Sequence, residues 1–307
     1  MRFVAVIAVF CLITTLHAQD ILGKQYLNEL KRKQIEDGLN SIDNCITKIS
    51  HELTKIKKDV QRLTCKEFKS CKEILDSQRN NTASGVYEIS AGSNQVMNVY
   101  CQMSPVSGCS GGGWTMVMKI DGSQSTFRYS SSYWTNKTTF NDNDNGRNGG
   151  FDNREFKGST YWKTSFNEIC VAMKYGGQLR ALSFSHPASS LHDLFADNNY
   201  RQTNVGRSQW KQLIQGSSLQ RNCNREGFNV NLRPGHHARI RLGIAGNEQN
   251  DCKTPDSFMG LGGEGGTSYG ISWCGSSLSL NTAGNLAQCT PDNGTKNLKA
   301  MGYILVR

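Results

Sequence analysis

From Ile35 onward the apolar residues fall at Ile35, Leu39, Ile42, Ile46, Ile49, Leu53, Ile56, Val60 and Leu63, with steps that alternate between four and three without a miss. A mean repeat of about 3.5 residues keeps one apolar seam turned toward a partner helix and imposes a left-handed supercoil. Leu39, Ile46, Leu53 and Val60 take the a positions; Ile35, Ile42, Ile49, Ile56 and Leu63 take d. A helix packed on its own domain carries a wider stripe. Isoleucine dominates d, where parallel dimers prefer leucine, so the seam predicts a homotrimer or a higher assembly. Glu52 at g and Lys57 at the following e have opposite signs, as an interhelical pair requires. Upstream, Asn28 and Arg32 interrupt the register, and Gly38 weakens its start. Cys45 lies at g beside the seam and Cys65 just past the last heptad, which makes both candidates for interchain disulfides.

The segment ahead of the seam reads as a secretory signal. Arg2 supplies the positive start, Phe3 to Leu16 form an apolar run too short to span a bilayer, and Ala18 suits the residue before a cut at Gln19. Residues 1–18 are therefore expected to be a signal peptide and 19–65 the oligomerising segment. Residues 66–307 follow as a globular domain, with no transmembrane segment. The expected location is secreted and extracellular.

Cysteine usage fits that compartment. Apart from Cys11, ten cysteines remain, an even number that reads as disulfides; no CxxC pair or zinc-spaced histidine set competes. Sequons at Asn80, Asn136 and Asn293 are expected glycosylation sites. The net charge of +10 is scattered, apart from Lys55, Lys57 and Lys58. It gives at most a bias toward anionic surfaces, and no basic-aromatic motif points to nucleic acid.

Past Cys65 the heptads stop. Ser70-Cys71-Lys72-Glu73-Ile74-Leu75 predicts a short helix. Gly85-Val86-Tyr87-Glu88-Ile89, Val99-Tyr100-Cys101-Gln102-Met103 and Gly111-Gly112-Gly113-Trp114-Thr115-Met116-Val117 predict strands and tight turns. A Cys71–Cys101 bond would close a loop worth about 3–4 kcal/mol in the chain-entropy model.

In this order the motifs resemble the start of the fibrinogen C-terminal domain. The glycine-rich Gly260-Leu261-Gly262-Gly263-Glu264-Gly265-Gly266 and the ending Lys299-Ala300-Met301-Gly302-Tyr303-Ile304-Leu305-Val306-Arg307 are more similar to the intelectin-like and invertebrate secreted fibrinogen-related branch. The resemblance covers about 71–307 and is close over 71–120 and at the C-terminus. It implies an α+β fold with a twisted, mainly antiparallel sheet, short helices and long loops, and a non-enzymatic activity. It also implies Cys223–Cys252 and Cys274–Cys289 pairs, while the connectivity of Cys109 and Cys170 stays open. Around Thr254, Asp256 and Ser257 the chain does not repeat the set through which intelectins hold calcium and a sugar diol, so that activity is not carried over.

Two oxygen-rich clusters suggest calcium as a cofactor, since hard cations take carboxylate and carbonyl oxygens. One contains Asp142 and Asp144, without the terminal Glu of an EF-hand loop. The other contains Asn247, Glu248, Asn250, Asp251 and Asp256, with Glu264 near it. Tyr269 and Trp273 offer faces on which a sugar ring could pack, or core side chains. His236 and His237 are adjacent and would point to opposite faces of a strand, which argues against a metal pair. No GxSxG or HExxH occurs, so no enzyme is expected. Two functions follow. The first is a lectin-like recognition protein for glycans or other surface ligands, with avidity from the coiled coil. The second is a structural protein of an extracellular matrix, including a mineralised skeletal one.

Overall fold

The computed structural model describes residues 2–64, 68–77, 82–92, 95–231, 238–265 and 280–307, without the side chains of 2–11 and 58–64. It divides into two compact units, Met1–Lys66 and Glu67–Arg307.

The first unit is one helix, α1 (Arg2–Thr64), of 63 residues. At a rise of about 1.5 Å per residue it is about 95 Å long. The helix begins far upstream of the heptad seam, because it needs no seam to form: residues 19–34 are mostly good helix formers, and Lys24 bonds Asp20 one turn away at 2.8 Å. Gly38 is accommodated inside it, at about 1 kcal/mol against alanine. From Ile35 to Ile56 every seam residue is between 54% and 63% exposed, and Ile46, Ile49, Leu53 and Ile56 line an open apolar groove. No helix among the described residues is long and apolar enough to cross a membrane.

The second unit is α+β. Its short helices are α2 (Cys71–Ser77), α3 (Asp144–Arg147), α4 (Thr160–Lys163), α5 (Leu191–Phe195) and α6 (Arg207–Gln212). Its strands are β1 (Gly85–Ser90), β2 (Val96–Gln102), β3 (Trp114–Asp121), β4 (Phe156–Lys157), β5 (Phe166–Tyr175), β6 (Gln178–Ala188) and β7 (Arg201–Gln202). The series continues with β8 (Asn222–Val230), β9 (Ile240–Asn247), β10 (Ser257–Leu261), β11 (Ala283–Ala287), β12 (Lys296–Lys299) and β13 (Met301–Val306). The helix at Cys71 and the strands at Gly85, Val96 and Trp114 form where their runs of residues predict. One sheet is seven-stranded, ordered β1-β2-β3-β13-β5-β6 with β4 on β3; the other is six-stranded, ordered β12-β11-β10-β9-β8-β7. The named strand pairs are antiparallel.

The main core joins both sheets: Val117, Ile169 and Ile304 from the first meet Phe228, Ile244 and Leu261 from the second, around Trp134, Tyr161, Phe195 and Trp210. Buried cations are locked by specific partners. Lys119 meets Asp152 at 2.6 Å, and Arg241 donates to Tyr129 O, Asn198 Oδ1 and Asn229 Oδ1. Lys157, fully buried, donates to Tyr133 O at 2.6 Å and Asn136 O at 2.8 Å and lies 4.4 Å from the Tyr161 ring centre. Burial pushes its ammonium down to about 7.

A row of glycines crosses the second sheet. Gly227 pairs with Gly243, Gly243 with Gly260, and Gly260 with Gly284. All four have positive φ, from 135° to 158°. A Cβ at Gly243 would stand 2.2 Å from Met259 O, and one at Gly260 would stand 2.2 Å from Leu242 O. The four strands approach so closely along this line that only glycine fits.

Among the described residues three disulfides tie this unit: Cys71–Cys101, Cys109–Cys170 and Cys223–Cys252. Cys289 is also disulfide-bonded, and its expected partner Cys274 lies outside the described residues.

Candidate functional site

The register of β9 on β10 sets Ser257 opposite Gly246, so Glu248, just past β9, comes beside Asp256, just before β10. Between them lies Gln220, fully buried. Its Nε2 donates to Glu248 Oε2 at 2.6 Å, Cys289 O at 3.0 Å and Asp256 Oδ2 at 3.4 Å. Its Oε1 accepts from the Asp256 N–H and the Ser257 hydroxyl. The Cys223–Cys252 bond ties β8 to the loop that carries the site. Asn247 braces that loop, donating to Asp251 O and Thr254 Oγ1 while its Oδ1 accepts from the Glu248 N–H.

Asp256 is 8% exposed, and its Oδ1 is buried without a hydrogen-bond partner. Burial, and then the neighbouring Glu248 carboxylate, push its carboxyl up to about 7. Two carboxylates this close repel when both are ionised, and a shared proton turns the repulsion into a hydrogen bond. The arrangement can therefore hold or release one proton near neutral pH.

Of the five residues expected to form a cation site here, only Glu248 and Asp256 turn their carboxylates to each other. Asn247 is spent on bracing, Asn250 is exposed, and exposed Asp251 accepts from the Lys253 N–H. Two carboxylates supply at most four of the six to eight oxygens that calcium takes, so backbone carbonyls or water would have to supply the rest. No group of three His, Cys, Asp or Glu that could hold a metal ion occurs among the described residues. The other expected cluster already contains a cation: Arg147 reaches Asp142 at 3.0 Å and Asp144 at 3.1 Å. Glu264 is likewise taken, by Arg239 at 3.1 Å. Sequence reasoning missed Gln220, which belongs to no motif and reaches the site from another part of the chain.

Cys45 is exposed and unpaired in the single chain. Asn136 is half-buried, and Asn293 lies on an exposed turn. Cys65, Asn80, His236, His237, Tyr269 and Trp273 lie outside the described residues.

No family model matches the chain, and no curated protein matches it either.

Proposed function

We propose that the chain is a secreted, oligomeric, non-enzymatic recognition protein. In this reading the α+β unit is a fibrinogen C-terminal-like head that binds glycans or other surface ligands, and the helix gathers several heads. The observation that carries it is the apolar seam of α1, exposed in a single chain and set at heptad spacing. Burying an isoleucine side chain is worth about 1.5–3 kcal/mol, so an unbroken seam of them favours association with further copies, a homotrimer being the arrangement that isoleucine at d favours. Cys45, beside the seam, is placed for an interchain disulfide. Linked heads convert weak single contacts into avidity at a multivalent surface. The disulfides of the head fit an oxidising compartment.

A glycan array probed with the full chain over a range of calcium concentrations tests the reading. Binding to a defined glycan class supports it, and its calcium dependence decides whether a cation takes part. Absence of binding at every calcium level, with the protein held in insoluble extracellular matrix, replaces it with the scaffold reading.

A further inference from the structure

We propose that, of the two sequons among the described residues, Asn136 is an N-glycan acceptor of the folded head and Asn293 carries no glycan. The inference rests on the extracellular reading and adds to it a modification site, chosen by how each carboxamide is used.

Asn136 follows a 3₁₀ turn, Ser132–Trp134, and its N–H is fixed on Ser132 O at 2.9 Å. Its carbonyl oxygen accepts from the buried Lys157 ammonium at 2.8 Å. Its side-chain Oδ1 accepts from the same ammonium at 3.1 Å and from the Thr138 N–H at 3.1 Å, which closes a turn within the sequon. Nδ2 makes no hydrogen bond among the described residues, and the Asn136 side chain is only half-buried. A sugar on Nδ2 leaves the carboxamide oxygen in place, and every one of these interactions survives. The lysine thus anchors the base of the glycan in the protein interior.

Asn293 uses its carboxamide the other way round. Its Nδ2 donates to Gly216 O at 3.0 Å and Ser217 O at 3.3 Å, while its N–H donates to Ser218 Oγ at 3.0 Å. The preceding Asp292 is clamped by Arg207 at 2.8 Å and Lys211 at 2.5 Å. A sugar on this Nδ2 removes one of its two hydrogens and occupies the space where the 216–217 turn docks.

In the transfer, the Nδ2 of Asn136 forms a bond to the anomeric carbon of an oligosaccharide carried on a polyprenyl diphosphate. The bond from that carbon to the diphosphate oxygen breaks, the diphosphate leaves with the electron pair, and Nδ2 gives up one proton. The transfer acts on the unfolded chain, and the fold then decides which products can mature. A chain modified at Asn293 cannot seat the 216–217 turn and drops out of the folded population.

The test uses the full chain made in a eukaryotic secretory host and collected from the medium. Glycans are released by an amidase in heavy-oxygen water and the peptides are mapped by mass spectrometry. Asn136 is expected back as heavy-oxygen aspartate and Asn293 as unchanged asparagine. Asn136→Gln should remove one glycan, and Asn293→Gln none. A glycan on Asn293, or a bare Asn136, in protein from the medium overturns the proposal and leaves the extracellular reading standing. A chain that stays in the cytosol overturns that reading and the proposal with it.

Discussion

Ile46 and Ile49 on the helix are 57% and 54% exposed, whereas Ile244 and Ile304 in the head are fully buried. Residues of one type meet opposite fates because the head closes two sheets over its own apolar side chains, while a lone helix has no second surface to offer. Among the described residues the head buries its core within one chain. The helix holds an exposed apolar seam, and a partner that covered it would tie the helix's stability to that partner's concentration.

The sharpest way to break this contrast is to charge the seam. Ile46→Asp with Ile49→Asp should abolish self-association in sedimentation and leave the thermal unfolding of the head unmoved; a head that melts early in this variant would show that the two units share their stability. A smaller effect is expected from Gly243→Ala, which sets a methyl 2.2 Å from Met259 O. It should cost the head about 3 kcal/mol in denaturant titration, with association through the helix unchanged. An unaltered midpoint would mean that the glycine row is not a tight contact.

The smallest effect is a pH dependence confined to the head. Asp256 titrates at about 7 when folded, against about 3.9 for an unperturbed aspartate. Between those values the folded state binds a proton that the unfolded state has lost, so this group's contribution to stability falls as pH rises from about 4 to about 7. Asp256→Asn should flatten that decline, with the greatest gain over the parent above about pH 7, as read by melting curves across pH. Parallel curves for the two proteins would remove the shared-proton description. Lys157 acts in the other direction: lowered to about 7 when folded, it makes the head more stable as pH rises from there toward about 10.4.

The seam could be read directly, since a period of about 3.5 needs only the order of residues. So could the early strands of the head and the Cys71–Cys101 pair, which are local or close in sequence. The chemistry of the acidic clusters could not. Asp142 and Asp144 looked open to a cation until α3 brought Arg147 back onto both. Asp256 acquires its character from register: the pairing of Ser257 with Gly246 brings Glu248 alongside, and Gln220 enters from a segment that no spacing rule connects to them. The glycine row was likewise invisible, because Gly227, Gly243, Gly260 and Gly284 become neighbours only once four strands are in place.

The position of β13 has a consequence for how the head comes into being. Met301–Val306 lies between β3 and β5, pairing with Asp121 on one side and Lys174 on the other. The contact with β3 spans more than half the chain. Neither half of the seven-stranded sheet can find its central member until a ribosome has delivered that strand, so β3 and β5 wait with unpaired edges while the rest is synthesised. So long a separation between paired strands predicts slow folding for the head, which its refolding rate would check. Edges left unpaired during that interval are open to pairing with other chains.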